Sequence, residues 1–593
     1  MENFYSWIRN FKLPTKQEIK KILASFSKKE WLVFFIFNLV LLISFIGILQ
    51  NINQSLMVKI PMKGGSISEG IIGTPRFINP ILAISDADRD LVALIYSGLM
   101  RKNSDGSFIP DLAEKYEISK DGLTYTFTLK DNIYFHNGNK ISTDDVLFTV
   151  NAVKDPVIKS PKKSNWDGVN AEKIDAKTIK FTLKQPYASF LENTTLGIMP
   201  IDIWHDSLIE LNNANTNPVG SGPYLVNKVN KQTGGIINYY DLTAYKKFIL
   251  GKPYIKNITL HFYPNENDLV QALENKEVDA ISSITPANAE LLKEKNYRIK
   301  SAVLPRIFGL FFNQNQNQIF TNKTVLKAIN EIIDKKRIVQ QLLLNYGIVI
   351  DGPIPPFMNQ NQKISAIDTI SRREKIKNIE DTLTKDGWKK NADGLLEKNI
   401  LEKKSTKNKN TVSKKDNKMI LTFSISTGNT KELAETAQII KENLAEIGIK
   451  VDIKTFDIGN LNQSVIRPRK YDALLFGEII NQASELFAFW HSSQRKDPGL
   501  NVSLYTNTKV DKILEDAFIT NDKNILTKKY LEFEEEIRKD TPAIFLYSPD
   551  YIYVVSQNLK GLSMGHVVSP SDRFSNVYTW YTETDNVWKI FAN

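Results

Sequence analysis

The chain has 593 residues, 42% of them hydrophobic and 24% charged, which is enough apolar sequence for several folded domains. Its net charge of +11 comes with lysines concentrated in the N-terminal tail and one loop, a pattern typical of solvated surface, so no nucleic-acid partner is predicted. The absence of cysteine excludes disulfide bonds, zinc sites with cysteine ligands and thiol nucleophiles.

An apolar run from Trp31 to Leu49 stands near the N-terminus and is long enough to cross a bilayer as a helix. The residues before it are rich in lysine, and no small-residue cleavage pattern follows it, which favours an uncleaved signal anchor over a cleaved signal peptide. We therefore predict a cytoplasmic basic tail over residues 1–30, a transmembrane helix over 31–49 and a tether over 50–63, with the main domain outside the cell membrane.

The sequence after residue 63 shows a mixed α/β pattern. A strand is predicted over Ile67–Ile71, and a helix over Asp86–Leu99 from the spacing of its leucines. Residues Ile118–Leu129 predict a hairpin, since two alternating apolar segments flank an Asp-Gly turn. Capping residues before Val146 predict a helix over Val146–Val153, and a further alternating strand is predicted over Lys177–Leu183.

The run Gly220-Ser221-Gly222-Pro223 predicts a structural turn. It is not G-x-G-x-x-G, and Pro223 lacks the N–H that a phosphate-binding loop would need. A phosphate site is therefore not predicted here.

The later sequence continues the α/β pattern. An amphipathic helix over Leu433–Ile447 ends at Gly448 and leads into a strand over Ile449–Ile453, and another strand over Tyr471–Gly477 ends at glycine. Residues 397–418 are rich in lysine, asparagine, serine and threonine, which predicts a mobile surface insertion because such a segment cannot bury apolar area.

No enzyme motif accompanies these elements. The histidines are scattered without close ligand pairs, and the sequence holds neither a G-x-S-x-G nor a Walker A motif. His136 lies in a turn and is interpreted as structural, and His491 is the one histidine that could serve a cleft metal chelate. We predict no catalytic residue, no metal site and no cofactor.

Many small matches along the chain resemble one known family. They include Tyr96-Ser97-Gly98-Leu99, Pro110-Asp111-Leu112-Ala113-Glu114, Phe135-His136-Asn137-Gly138, Gly220-Ser221-Gly222-Pro223-Tyr224 and Phe489-Trp490-His491-Ser492-Ser493. Together they resemble extracytoplasmic solute-binding proteins of family 5, the oligopeptide- and dipeptide-binding substrate-binding proteins of ABC transporters. The matches cover most of the sequence from Gly64 to Leu562.

The resemblance implies an α/β fold with the two lobes of a periplasmic binding protein and an extra subdomain in lobe one, here preceded by the transmembrane helix. We expect the lobe-one core to comprise residues 64–97, 216–303 and 543–593. The extra subdomain would cover 98–215, and lobe two would cover 304–542.

The resemblance also implies a ligand-binding strand in lobe two. In peptide-binding members this strand ends in a glycine, a variable side chain, two further residues and an aspartate that pairs with the ligand's α-amine. The matching positions are Gly477, Glu478, Ile479 and, in place of the aspartate, Asn481. Asparagine lacks the charge that makes a pair with an ammonium group strong, which puts capture of a free N-terminal amine in doubt.

Other side chains are candidates for the cleft. Glu478 or Glu485 could supply the missing carboxylate, or both could be ordinary surface or capping acids. Trp490 is either a cleft wall or a core residue. Thr74 and Phe77 precede a turn that resembles the family's cleft rim.

Two crossing strands would join the lobes and allow them to close by a hinge motion. The hinge candidates are Leu304, Phe312 and Tyr547.

We therefore predict a membrane-tethered binding protein that captures oligopeptides or peptide-like ligands and presents them to an ABC permease and its ATPase, without chemistry of its own. The alternative is a membrane-anchored ligand sensor or surface scaffold that is not coupled to transport.

Overall fold

The computed structural model describes residues 15–186, 189–205, 208–356, 358, 370–400, 417–481, 483–520 and 522–592. The described residues form the following helices, in chain order: α1 (Lys16–Ala24), α2 (Lys28–Leu56), α3 (Asp86–Ile95), α4 (Thr143–Lys154), α5 (Phe190–Asn193), α6 (Ile201–Trp204), α7 (Glu266–Glu274), α8 (Pro286–Glu294), α9 (Lys323–Ile332), α10 (Lys335–Gln341), α11 (Arg372–Lys385), α12 (Lys431–Glu446), α13 (Ile458–Asn460), α14 (Ala483–Trp490), α15 (Thr508–Ile519) and α16 (Lys523–Asp540).

The strands are β1 (Met57–Pro61), β2 (Gly64–Ile72), β3 (Met100–Lys102), β4 (Phe108–Pro110), β5 (Ala113–Ile118), β6 (Thr124–Leu129), β7 (Val169–Lys173), β8 (Thr178–Leu183), β9 (Tyr224–Lys231), β10 (Ile237–Ala244), β11 (Ile255–Tyr263), β12 (Ala280–Ser282), β13 (Arg298–Val303), β14 (Arg306–Phe312), β15 (Gly347–Val349), β16 (Lys389–Lys390), β17 (Leu396–Ile400), β18 (Asn417–Ile420), β19 (Thr422–Gly428), β20 (Lys450–Phe456), β21 (Ala473–Ile479), β22 (Ala543–Val555) and β23 (Thr584–Trp588). The described residues divide into two compact units, one of residues 15–62 with 583–592 and one within residues 63–582.

The smaller unit is built on the long apolar helix α2. A capping box starts it, because the Ser27 N–H donates to the Glu30 carboxylate at 2.7 Å while the Glu30 N–H donates to the Ser27 hydroxyl. By length and composition α2 could cross a membrane, a test that a signal sequence also passes. The helix continues to Leu56, so the first half of the expected tether is helical, and the next five residues form β1.

The second strand of this unit comes from the C-terminus. β23 pairs antiparallel with β1, from Met57 opposite Trp588 to Pro61 opposite Thr584. The structure therefore groups residues 583–592 with the N-terminal segment, whereas the sequence pattern had assigned them to the lobe-one core.

The larger unit contains one extended sheet with the strand order β20-β19-β21-β14-β22-β12-β2-β11-β10-β9. The 13-residue strand β22 pairs with β14 and β15 in its first half and with β12 and β13 in its second half. The partners of its first half are strands of lobe two, and the partners of its second half are strands of lobe one. β22 therefore belongs to both lobes. The arrangement is the expected two-lobed α/β fold.

Each lobe has its own hydrophobic core. Lobe one is built on β2 and β9–β12, and one core joins these strands to the four-stranded sheet β5-β6-β8-β7. In lobe two, two cores lie on opposite faces of the sheet, one under α9 and α12 and the other under α14, α15 and α16. The exact lobe boundaries given above stay a prediction.

Local predictions from turns and caps are confirmed. β5 and β6 form the hairpin with Ile118 opposite Tyr125. The predicted helix over Val146–Val153 forms as part of α4, which begins three residues earlier because Ser142 is its N-cap. At the predicted structural turn, a Cβ on Gly220 would lie 2.1 Å from the Ile95 carbonyl oxygen, so this close approach requires glycine. His136 Nε2 lies 3.0 Å from the Gly222 carbonyl oxygen, and burial lowers the pKa of His136 to about 4, which fits a structural role.

The predicted lysine-rich insertion begins and ends in regular strands. Its ends form β17 and β18, which pair with each other and extend a three-stranded sheet. Residues 401–416, on which the expected mobility falls, lie outside the described residues.

A buried ion cluster links the C-terminal part of lobe one to strand β2 and helix α3. The Arg573 guanidinium donates to both Asp90 oxygens at 2.6 and 2.8 Å and to Glu69 Oε1 at 2.7 Å. The side chains of all three residues are at most 2% exposed.

Candidate functional site

The end of strand β21 has a half-open edge. β14 pairs with all seven of its residues on one side, whereas β19 pairs with it at Ala473 and Leu474 on the other. Among the strands that the structure describes, residues 476–479 therefore have β14 as their one neighbour. An unpaired edge of this kind can accept an added peptide strand.

Successive side chains of β21 alternate between the two faces of the sheet. Gly477 shares a face with its partner Phe308, whose ring stacks on Tyr547 with centroids 4.9 Å apart. A Cβ on Gly477 would come within 2.8 Å of the Phe308 ring. Packing against this ring therefore accounts for a glycine at position 477. Ile479, two residues later on the same face, is 46% exposed.

Glu478 lies on the opposite face and is buried. Its paired residue Ile307 belongs to the core under α14, α15 and α16, and Glu478 itself is 1% exposed. Neither carboxylate oxygen has a hydrogen-bond partner among the described residues, and burial raises the pKa of Glu478 well above its usual range. The structure therefore corrects the expectation that Glu478 offers a charged carboxylate to a ligand.

Trp490 also belongs to this core. It is 1% exposed, and its ring contacts include Phe311, Phe533 and Phe545. Of the two interpretations given above, core packing is the one that the structure fits, and the expected role of Trp490 in ligand binding is corrected accordingly.

Asn481 is the residue of this segment that contacts the other lobe. Its Nδ2 donates to Glu192 Oε1 at 3.1 Å, and its Oδ1 lies 3.1 Å from His566 Nε2. Glu192 is in α5 of the predicted extra subdomain, and His566 follows β22 in the C-terminal part of lobe one. Asn481, at the end of a lobe-two strand, therefore contacts two separate segments of lobe one.

The surroundings of Asn481 are rich in acidic groups. Burial raises the pKa of Glu192 to about 7, an effect that Lys102 opposes and that Glu485 and Asp572 reinforce. Lys102 Nζ forms an ion pair with Asp572 Oδ2 at 3.3 Å. Burial also lowers the pKa of His566 to about 4, so its imidazole is neutral at pH 7. The site can therefore accommodate a cation better than an anion.

Thr74 and Phe77 follow strand β2 in lobe one. Thr74 is exposed, and Phe77 is half-buried against the lobe-one core, where its N–H donates to Asp88 Oδ1 at 2.9 Å. The hydrogen bonds described for the Asn481 cluster do not include either residue. Both lie at the carboxyl end of a strand that is parallel to its neighbours β11 and β12, a usual place for ligand sites in α/β folds.

The two crossings between the lobes run side by side. The Leu304 N–H donates to the Pro549 carbonyl at 3.0 Å, and the Ser548 hydroxyl donates to the Leu304 carbonyl at 2.7 Å. Phe312 and Tyr547, by contrast, are buried in the lobe-two core. Of the three hinge candidates, Leu304 is the one that this pair of hydrogen bonds includes, and the hinge itself stays a prediction.

His491, the predicted candidate for a metal chelate, packs on Phe487 with ring centroids 4.1 Å apart. Its Nδ1 contacts the Ser493 hydroxyl, and its Nε2 lies 3.4 Å from Glu515 Oε1. Within the described parts of the chain, no group of three potential metal ligands converges.

A family profile matches residues 107–498, and its description is bacterial extracellular solute-binding proteins, family 5 Middle. The chain belongs to this family. Its membership confirms the resemblance that the scattered motifs indicated, and it identifies the protein as an extracellular solute-binding protein.

Curated relatives of this solute-binding protein include two of known ligand class. It is 27% identical to the oligopeptide-binding protein AppA of Bacillus subtilis over 531 residues, which covers 88% of this chain and 92% of AppA. It is 26% identical to the glutathione-binding protein GsiB of Escherichia coli over 507 residues, which covers 82% of this chain and 89% of GsiB.

Solved structures give the same result. The solute-binding protein superposes on NikZ of Campylobacter jejuni in complex with Ni(L-His) with a TM-score of 0.66 and 28% identity, covering 87% of this chain and 99% of NikZ. It superposes on AppA of B. subtilis in complex with a nonapeptide with a TM-score of 0.62 and 26% identity, covering 88% and 99%. These comparisons establish the two-lobed fold.

Sequence reasoning missed two residues of the site. Glu192 and His566 lie far from Asn481 along the chain, and neither stands in a motif that marks a binding residue. Glu192 follows a buried aromatic residue in a short helix, and His566 lies between two stretches without regular pattern. Only the fold brings them to Asn481.

Proposed function

We propose that this solute-binding protein captures an oligopeptide or peptide-like ligand between its two lobes and delivers it to an ABC permease and its ATPase. Binding and lobe closure accomplish this function, and no chemical conversion takes place. The observation that carries the proposal is the half-open edge of β21, which ends where Asn481 meets lobe one.

The open edge supports recognition through the ligand backbone. A peptide that adds as a strand beside residues 476–479 would form main-chain hydrogen bonds, which are independent of its side chains. We propose that Gly477 and Ile479 lie next to the bound peptide on lobe two. Thr74 and Phe77 are proposed to line the ligand site from lobe one. Low sequence selectivity follows from such a mode of binding.

The acidic surroundings of Asn481 support a cationic group on the ligand. Glu192, and not Glu478, is the carboxylate that faces Asn481 in the structure. An ammonium or guanidinium group that enters between Asn481 and Glu192 would replace a hydrogen bond between neutral and acidic groups by a charge-assisted one. We therefore propose that lobe one supplies the anionic partner that lobe two lacks.

The helix α2 supports a location at the cell membrane. Its length and apolar composition suffice for one crossing, and lysines precede it, so we propose a single-pass anchor with a cytoplasmic N-terminus. The family's extracellular character supports a location of the binding unit outside the cytoplasm.

The first experiment is native mass spectrometry of the purified protein before and after mild denaturation, with a pool of mixed peptides as the probe. Released peptide masses would support the proposal. One captured peptide is then synthesised as two isomers, N-methylated at alternate odd or even positions.

Strand addition predicts that one isomer loses at least tenfold more affinity than the other, because alternate N–H groups of a strand point to opposite sides. Equal binding of both isomers would refute binding at the β21 edge. Intact binding combined with unchanged peptide uptake after gene deletion would instead favour the membrane-anchored sensor.

A further inference from the structure

The described C-terminus exposes three large apolar side chains close together in sequence. Trp588, Ile590 and Phe591 are 44%, 72% and 71% exposed. The residues just before them are polar, since β23 begins with Thr584, Asp585 and Asn586. The strand therefore changes from polar to apolar toward its C-terminal end.

The apolar end of β23 is the end next to α2. Because the two strands are antiparallel and β1 follows α2 directly, Trp588 stands opposite Met57, the first residue after the helix. The indole Nε1 of Trp588 donates to Asn53 Oδ1 at 2.7 Å. The indole therefore lies beside the last turns of α2.

The helix geometry gives the depth of this indole relative to the apolar run. Asn53 is four positions beyond Leu49, the last residue of that run, and four residues rise about 6 Å along a helix. The headgroup region beyond the hydrocarbon core is about 5–8 Å thick on each side. If α2 spans the bilayer with this run in the hydrocarbon, Trp588 lies in the headgroup region, where tryptophan is enriched.

We propose that residues 588–591 form a second membrane contact, in which Trp588, Ile590 and Phe591 enter the interface of the leaflet from which α2 emerges. The partner is the lipid surface itself. Continuity with α2 argues for lipid over a protein partner, because the apolar run of that helix ends four positions before Asn53 and the helix has no buried residue. Lys589, between the apolar residues, would place its ammonium group among lipid phosphates.

The inference rests on the proposed membrane anchor and adds a contact to it. The polar start of β23 would remain in water, because Asp585 is three residues, or about 10 Å, farther along the strand than Trp588. The paired strands would thereby hold the helix end at a fixed depth.

The full chain lacks cysteine, so single cysteines can be labelled with an environment-sensitive fluorophore in vesicles that contain a lipid with a shallow quencher. Labels are placed by Ala592→Cys at the contact, by Leu49→Cys at the end of the apolar run and by Asp585→Cys as the aqueous control. We expect quenching at position 592 to be at least half of that at 49 and several-fold greater than that at 585. The double substitution Ile590→Ser and Phe591→Ser should reduce the quenching at 592 at least twofold.

Quenching at 592 no stronger than at 585, with strong quenching at 49, would overturn the second contact and leave the anchor in place. It would point to a protein as the partner of these side chains. Absence of quenching at 49 would refute the anchor itself, and the second contact with it. Unchanged quenching at 592 in the double-serine variant would show that the apolar side chains do not produce the contact.

Discussion

The buried carboxyl of Glu478 is expected to make the free energy of unfolding depend on pH. Its pKa is well above the usual 4.5 in the folded protein because burial disfavours the charged form. The folded state therefore keeps a proton that the unfolded state releases as the pH rises above 4.5. The stability that Glu478 contributes is fully present below that pH and is lost progressively as the pH rises toward the folded pKa.

The magnitude follows from proton linkage. Each pH unit in which the folded carboxyl stays protonated and the unfolded one is ionised costs about 1.4 kcal/mol. Between pH 5.5 and pH 7.0 the wild type should therefore lose up to about 2 kcal/mol of unfolding free energy through Glu478 alone, the full amount applying if the folded carboxyl keeps its proton throughout this range.

The variants Glu478→Gln and Glu478→Leu both remove the ionisation. Urea unfolding followed by tryptophan fluorescence should show that each variant gains stability relative to wild type between pH 5.5 and pH 7.0, by up to about 2 kcal/mol. The leucine variant should be the more stable of the two at every pH, because the glutamine amide remains buried without a partner. A difference from wild type that does not change with pH would refute a buried, neutral Glu478.

Three further predictions concern packing, a buried charge and the site. Gly477→Ala should cost about 1–3 kcal/mol of stability, because its Cβ would come within 2.8 Å of an aromatic ring, whereas Gly459→Ala, with its nearest atom at 3.5 Å, should lack this clash in the same urea assay. Arg573→Leu should reduce the free energy of unfolding by about 3–5 kcal/mol, because it leaves two buried carboxylates unpaired. The control Arg89→Leu breaks an ion pair between half-exposed side chains and should cost less than about 1 kcal/mol. Equal losses in the two variants would contradict this reasoning. Affinity for a peptide with a free amine, measured by calorimetry, should rise up to about fivefold from pH 6 to pH 7, as Glu192 ionises near pH 7 while the α-amine, with an ordinary pKa of about 7.7–8.0, keeps its proton. Neither Glu192→Gln nor an N-acetylated peptide should show this rise.

Elements with local signals could be predicted from the sequence. The Asp-Gly hairpin, the capped helix α4 and the glycine turn at 220–222 each depend on residues close together in the chain, and each forms as expected. The family resemblance depended on the same kind of short segments. Local chemistry was therefore sufficient for the fold class.

The site was less predictable because its contacts are distant in sequence. Asn481 meets Glu192, 289 positions away, and His566, 85 positions away. The face on which Glu478 lies was also hidden, because the flanking residues of β21 are apolar on both faces and give no alternation to follow. A fully buried carboxyl without a partner is contrary to the usual burial of polar groups, so no residue pattern would have indicated it.

The pairing of β1 with β23 joins two segments that are far apart in the sequence. The strands are separated by 522 residues, from 62 to 583, so β1 is synthesised long before its partner strand. Closing a loop of that length in an unfolded chain costs about 5–6 kcal/mol in entropy, more than a marginal two-stranded ladder returns. The ladder is therefore expected to form late, after the intervening residues have folded, and its presence would mark a fully folded chain.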